Sequence, residues 1–586
     1  MIAALVRCAQ VLAMTAMARM PEPHESTHIQ KYERPECRRE WLQQSRNAKE
    51  YQMTEKLYNG IVLEEPWPPQ NMDPTSDRPM SVPYLENPPD CILIDTGRQL
   101  FVDDFLIEET GMQRVFHRAV KHDENPMFEP ETTIEARRVD DRRVFPAAVP
   151  KSGGVWWDSV DGRFKMWYEA GWCGTLAYAE SDDGLTWRRP RLDVDPPTNR
   201  IVPELVGDSG AVFIDHDADE PGQRYKMFHR ETNAAIQTRQ GNGPANCLVS
   251  ADGVHWSDPI KTTPVGDRST MFYNPFRQRW IYSIRSAVRG RTRHYREHPD
   301  FLKGATWTDD ECVYWTGADR LDEPDAEIGA TPQLYNLDAV AYESVMLGMF
   351  EIHLGPENDI CRAGGFPKIT ELKTAFSRDG FHWHRPDRRA FIPAARRPSA
   401  WDRGYVQSVG GVCLVMEDEL WFYYTGFRGE QEHRTDAFDM DSTMYGNGAT
   451  GMAKLRRDGF ASMQAGDAEE ALLTRPLVFN GSHLFVNVDN PRGRLLAEVC
   501  SPDGRPLEGF TREDCRPLSG NTTRGCVRWD DDRDLGRLAG KPVRIRFFLR
   551  QGDLYAFWVS QSTNGMSDGY VGAGGPSYSD GTDSGS

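Results

Sequence analysis

KMWYEAGWCGTLAYAESDDGLTW, residues Lys165 to Trp187, reads as a strand, a short loop, a second strand and a tight Asp-Gly turn closed by a tryptophan. The chain repeats this grammar. KMFHRETNAAIQTRQGNGPANCLVSADGVHW (Lys226 to Trp256) is a second copy, and ELKTAFSRDGFHW (Glu371 to Trp383) ends a later one. In the shared Ser-x-Asp-Gly-x-x-Trp element, Gly supplies a positive φ, Asp accepts from the turn backbone and Trp packs between units. Asp183, Asp252, Asp379 and Asp458 are therefore read as turn residues and not as catalysts.

Two weaker copies complete the series. Trp280 to Trp307 begins WIYSIRSAVRG and has lost the Asp-Gly, while Leu420 to Met463 carries Met463 where the tryptophan stood. An apolar, β-rich run precedes each unit: Val155 to Trp157, Ala211 to Asp215, Thr270 to Tyr273, Leu337 to Tyr342 and Gly411 to Met416. The period of roughly 60 to 75 residues is slightly longer than that of common propeller repeats. Units of three or four short strands cannot bury both faces alone and pack around an axis. The expectation is an all-β protein, a five-bladed β-propeller followed by a small C-terminal β-sandwich.

A chain of 586 residues exceeds one compact core. The sequence divides into an N-terminal extension (1–56, a leader or a helix), a proline-rich arm (57–98), the propeller (99–465), the sandwich (466–564) and a Gly/Ser/Asp-rich tail (565–586) expected to be disordered. Gln99 to Ile107 is expected to complete the last blade. The net charge of −19 argues against nucleic acid or an anionic membrane, and no stretch has the length of a membrane-spanning helix. Sixteen Trp, 20 Tyr and 26 Phe suit both inter-blade packing and sugar stacking. The eleven Cys follow neither a disulfide framework nor a zinc spacing, although Cys500, Cys515 and Cys526 lie close enough for one local bridge. The first twenty residues have features of a secretory leader, but Gln10 interrupts their short apolar stretch, and the reading adopted is a cytoplasmic protein. Oligomeric state is not encoded in any pattern found. His294, His353, His382 and His384 form no metal-binding pattern, no cofactor is expected, and His382 and His384 are placed at the surface.

The repeats followed by a β-sandwich resemble the five-bladed propeller glycoside hydrolases of families 32 and 43. FVDDFLIE, RFKMWYEAG, YNPFRQRWIYSIR, LYNLDAVAYES and LRRDGFASM are similar to a bacterial group regarded as relatives of those hydrolases. The resemblance implies a carbohydrate substrate and three acidic residues on innermost strands facing a central funnel. One would protonate the leaving group, one would act as nucleophile or base, and one would orient the sugar.

Aligning the innermost runs places Asp208 and Asp267 at similar entry positions. Asp267-Arg268 resembles the Arg-Asp-Pro region of the invertase type, with the order reversed and no Pro. Asp338 is the acidic residue inside the apolar run LYNLDAVAY, and Glu343 follows at the hairpin. Asp338, Asp267, Asp208 and Glu343 are the candidate catalytic residues; Glu169, Trp172, Arg230, Arg285 and Tyr335 are candidates for binding sugar. Asp103 and Asp104 are read as residues of a surface strand. The first reading is a glycoside hydrolase. The alternatives are a non-catalytic carbohydrate-binding propeller and a phosphorylase-type enzyme, for which Arg230, Arg285 and Arg289 would supply phosphate contacts.

Overall fold

The computed structural model describes residues 55–231, 243–430 and 443–584. The expected leader or helix of the N-terminal extension lies outside them. Five antiparallel sheets follow one another along the chain, one for each sequence unit. The first contains Ala148–Val149, Val155–Asp158, Arg163–Ala170 and Thr175–Ser181. The second runs from Gly207–Ile214 through Tyr225–Glu231 and Gly243–Ser250 to Ile260–Val265. The third contains Thr270–Asn274, Arg279–Ser286, Thr292–His298 and Val313–Gly317. The fourth is built on Gln333–Glu343, Val345–Gly355 and Ile369–Ser377, and the fifth on Gly404–Ser408, Leu414–Met416, Glu419–Phe427 and Gly448–Arg456.

The innermost elements pack on each other in a cycle: 151–153 on 207–214, then on 270–274, 333–343, 404–408 and back to 151–153. In the first and fifth sheets the innermost strand is interrupted. The runs at Val155 and Leu414 are the distal halves, and the proximal halves are Ala148–Val149 and Gly404–Ser408.

The Asp-Gly elements form the joints between sheets. Asp252 Oδ1 accepts from the backbone of Val254 and His255, both at 2.8 Å, and Ser250 Oγ accepts from Gly253 at 2.9 Å. Asp183 and Asp379 are bonded in the same way. Each turn then receives a ring from the preceding sheet. Trp167 Nε1 donates to Gly253 O at 2.7 Å, Trp315 Nε1 to Phe381 O at 2.8 Å, and the Tyr423 hydroxyl to Gly184 O. Between the fourth and fifth sheets Tyr342 OH donates to Asp458 at 2.6 Å.

Several expectations are corrected. Val120–Lys121, not Gln99 to Ile107, adds the outer strand of the fifth sheet, pairing with Lys454 and Ala453. Gln99–Leu100, Ile107–Thr110 and Gln113–Phe116 instead pair with strands of the C-terminal sandwich, where Phe101, Leu106 and Ile107 are buried with Leu484, Phe547 and Phe557. Asp103 is 1 % exposed and ion-paired to Arg378 at 2.8 Å, so the surface reading holds only for Asp104. His382 is buried, with Nδ1 at 2.7 Å from Asp379, and His384 is half-buried. Cys500, Cys515 and Cys526 are unbridged.

The tail departs most from expectation. Tyr570–Val571 pairs with Glu343 and Tyr342 of the fourth sheet. Ala573 O accepts from Trp157 N of the first sheet, and Gly574 O from Val415 N of the fifth. Its glycines let the backbone approach several sheets closely, so a composition typical of disorder serves here as a tie across the inner strands. The proline-rich arm lies on the third and fourth sheets, with Tyr58 stacked on Phe276 at 4.2 Å and Trp67 edge-on to Phe381.

Candidate functional site

The innermost elements converge on one carboxylate. Asp338, 3 % exposed, accepts from Ser152 Oγ of the first sheet at 3.1 Å, Thr270 Oγ1 of the third at 3.1 Å and Ser408 Oγ of the fifth at 2.5 Å. Asn336 Nδ2, two residues earlier on its own strand, donates at 2.9 Å. Four donors on two carboxylate oxygens compensate burial of the charge and fix the positions of four sheets around it.

Beside this hub lies a carboxyl that the sequence reading passed over. Glu351 is the direct cross-strand partner of Asn336, is fully buried, and among the described residues has no hydrogen-bond partner on either oxygen. Arg268 Nη2 is 3.9 Å from Glu351 Oε2 and 3.4 Å from Ser152 Oγ. Burial pushes the Glu351 carboxyl up to about 7, assisted by the charge of Asp338 and opposed by Arg268, Arg293 and Lys368. A carboxyl poised near neutrality can hold or release a proton at working pH. The sequence signal was present: Glu351 is charged within MLGMFEIHLG, an otherwise apolar strand apart from His353.

Asp267 sits toward the opening of the ring, with about a third of its side chain exposed, paired to Arg285 Nε at 2.8 Å. Arg285 and Arg293 are opposite one another on neighbouring strands, and Arg293 donates to the backbone carbonyls of Arg268 and Tyr335. Arg230 is half-buried at the inner end of the second sheet, where its backbone faces Ser209 across the strand pair. Asp208 occupies the bulge between Gly207 and Ser209 on that innermost strand.

An aromatic and lysine layer covers the same end. Tyr335 OH meets Tyr405 OH at 3.0 Å and accepts from Lys368 Nζ at 3.0 Å; the lysine lies 4.6 Å from the centre of each ring. Lys151 pairs with Glu169 at 2.8 Å and sits 3.9 Å over the Trp172 ring. Trp172 is stacked on Tyr445 at 4.0 Å and is 3 % exposed. Glu169 also accepts from Cys173 N at 2.5 Å. Trp172 and Tyr335 are therefore packed against protein groups in this state and do not present open stacking faces to a sugar.

Glu343 does not belong to this constellation. It occupies the hairpin with φ 50°, fully buried, and lies 2.9 Å from Arg457 and 3.4 Å from Arg98. It also accepts from Ser567 of the tail at 2.7 Å. The hairpin lies five residues beyond Asp338 on an eleven-residue strand rising about 3.3 Å per residue, which separates the two positions by about half the strand.

No protein-family profile matches the chain, and no curated protein sequence is significantly similar to it. Solved structures do resemble it. An N-acetylgalactosamine deacetylase from F. plautii is 14% identical with a TM-score of 0.38, over 61% of this chain and 96% of that one. A family 43 arabinoxylan arabinofuranohydrolase from Bacillus subtilis is 10% identical with a TM-score of 0.31, over 76% and 99%. A family 32 β-fructofuranosidase from Bombyx mori is 11% identical with a TM-score of 0.32, over 73% and 94%.

Proposed function

We propose that this protein is a carbohydrate-active enzyme, a glycosidase on a five-bladed propeller, with Glu351 as its general acid. The supporting observation is the Glu351 carboxyl, buried beside Arg268 and Asp338 without a hydrogen bond among the described residues, and pushed up to about 7. In this reading Glu351 gives its proton to the glycosidic oxygen as the bond from that oxygen to the anomeric carbon breaks. Asp267, at the opening, serves as the second carboxylate toward water or the anomeric carbon. Contact between Glu351 and a sugar requires displacement of the side chains that cover it. Asp338 is assigned a positioning role, because its oxygens are occupied by four donors from the scaffold.

The test is release of reducing sugar from a panel of plant and algal oligosaccharides by the wild type, Glu351→Gln and Asp267→Asn. Turnover by the wild type and its loss in both folded variants supports the reading. A second reading, sugar binding without turnover, is favoured by the closed aromatic layer and the saturated Asp338. Sugar binding with no release from any member of the panel would select it.

A further inference from the structure

A cavity of about 550 Å³ lies between the proline-rich arm and the outer strand of the third sheet, Val313–Gly317. That strand stands three strand spacings of about 4.8 Å from the innermost strand Thr270–Asn274, so the cavity is separate from the Asp338 hub. Val313–Gly317 pairs with Thr292–His298 along one edge, and its other edge pairs with no strand among the described residues. The arm carries Pro66, Pro68, Pro69, Pro74 and Pro79, which have no N–H to give to a sheet edge. It is pinned instead at separate points. Trp67 Nε1 donates to Glu297 at 3.3 Å, Asp77 O accepts from Arg320 N at 2.7 Å, and Tyr84 OH donates to His382 O at 3.3 Å. The space between these pins is built before a ligand arrives, and its volume falls within the roughly 300–1,000 Å³ of small-molecule sites.

The wall is mixed in a way that selects a ligand chemistry. Trp67, Met72, Met80 and Tyr314 give it half-buried apolar surface, and Arg277 backs the Trp67 ring at 4.9 Å. Asn71 and Asn87 each bring an amide donor and a carbonyl acceptor. Two cations on the wall, Arg78 and Arg289, are matched by two carboxylates, Glu64 and Asp73. The other carboxylates there are engaged by the scaffold, Asp319 with Arg388 at 2.9 Å and Asp379 with His382 at 2.7 Å. An anion would use the donors alone and a cation the acceptors alone, while a wholly apolar molecule would strand both. A hydroxyl both donates and accepts, and the C–H face of a pyranose ring lies flat on an aromatic ring.

We propose that this cavity binds a short neutral oligosaccharide, with sugar faces on Trp67 and Tyr314 and hydroxyls on Asn71, Asn87 and Arg78. It is a holding site on the rim of the third sheet, away from any bond cleavage. The inference goes beyond the glycosidase reading and does not depend on it.

The test is calorimetric titration of the full chain with cellobiose, maltose, xylobiose and mannobiose, and with galacturonate and inorganic phosphate as charged comparators. At least one neutral disaccharide should bind, and more tightly than either anion. Tyr314→Ala and Asn71→Ala, checked for unchanged circular dichroism, should each weaken that binding by about tenfold, the loss of one ring contact or hydrogen bond. Asn71 is exposed, so its substitution remains informative if Tyr314→Ala folds poorly. Glu351→Gln and Asp267→Asn should leave the binding unchanged. No binding by any of the four disaccharides, tighter binding of an anion, or binding that survives Asn71→Ala and is lost in Glu351→Gln would overturn the proposal. Binding that depends on Asn71 in a protein that cleaves no glycoside would leave this inference standing and remove the hydrolase reading.

Discussion

Glu351 and Arg268 approach to 3.9 Å in the interior of the ring, each with a side chain no more than 1 % exposed, without a hydrogen bond between them. The guanidinium is near enough to lower the carboxyl's proton affinity, yet burial outweighs it and the carboxyl rises to about 7. Arg268 also reaches toward Ser152, one of the hydroxyls on Asp338, so the titratable acid and the axial hub share a neighbour.

The raised Glu351 carboxyl gives two pH-dependent outcomes. As a general acid it must be protonated, so turnover should fall above pH about 7, and Glu351→Gln should lower turnover by about 100-fold or more and abolish that limb. Stability moves in the same direction. A carboxyl whose folded value exceeds its unfolded value near 4.5 contributes stability that is fully present below 4.5 and is lost as pH rises through about 7. Denaturant unfolding from pH 4.5 to 8 should therefore show the wild type losing stability relative to Glu351→Gln, by on the order of 3 kcal/mol over that range. A constant difference between the two proteins would contradict the assignment.

Asp338 should behave differently. Asp338→Ala strands the Ser152, Thr270, Ser408 and Asn336 donors in a dry interior, and each unsatisfied group costs about 1–3 kcal/mol. We expect a large loss in melting temperature. Asp338→Asn, which keeps the shape and one acceptor oxygen, should recover part of it. If Asp338→Ala melts with the wild type, the carboxylate does not organise the sheets.

Glu343 is predicted to matter for stability and not for turnover. With Arg98, Arg457, Asp458 and Asp583 it forms a buried network that ties the fourth and fifth sheets to the tail. Arg457→Met leaves Glu343 and Asp583 without this partner, a loss of about 3–5 kcal/mol for a broken buried pair. Truncation after residue 564 removes the strand on Tyr342 and the Ser567 donor, and should lower the melting temperature as well. In both proteins, turnover measured well below the melting point should stay within about threefold of the wild type. A larger drop would put Glu343 back in the site.

The turns carried the fold in the sequence because they are local: Ser181, Asp183 and Gly184 bond within six residues of each other, so their spacing repeats. Asp338 was legible for the same kind of reason, a charge in an apolar run. Glu351 carried the same mark within MLGMFEIHLG, but what sets it apart, the approach of Arg268 and burial by other sheets, comes from distant segments and leaves no local trace. Glu343 misled because its hairpin position resembles a funnel-facing end, whereas its partners Arg98 and Arg457 come from positions more than a hundred residues away in each direction. The tail misled through composition. Glycine and serine predict disorder only when no neighbouring backbone is available to pair with, and Tyr342 and Val415 supply it.

The joints between sheets can be tested by comparing two glycines. Gly253 has φ +81°, and a Cβ there would stand 2.6 Å from Cζ2 of Trp167 and 3.2 Å from the Tyr225 ring. Gly162 has φ +62° with nothing within 4 Å of the same position. Both substitutions to alanine incur the left-handed backbone penalty of about 1–2 kcal/mol. Gly253→Ala must also displace a buried indole whose Nε1 bonds the Gly253 carbonyl at 2.7 Å, which adds about 1–3 kcal/mol of overpacking. Thermal melting should therefore rank wild type above Gly162→Ala and Gly162→Ala clearly above Gly253→Ala, with quenched or shifted tryptophan fluorescence altered only in the last. Equal melting of the two variants would mean that the turn of one sheet does not bear on the ring of the sheet before it.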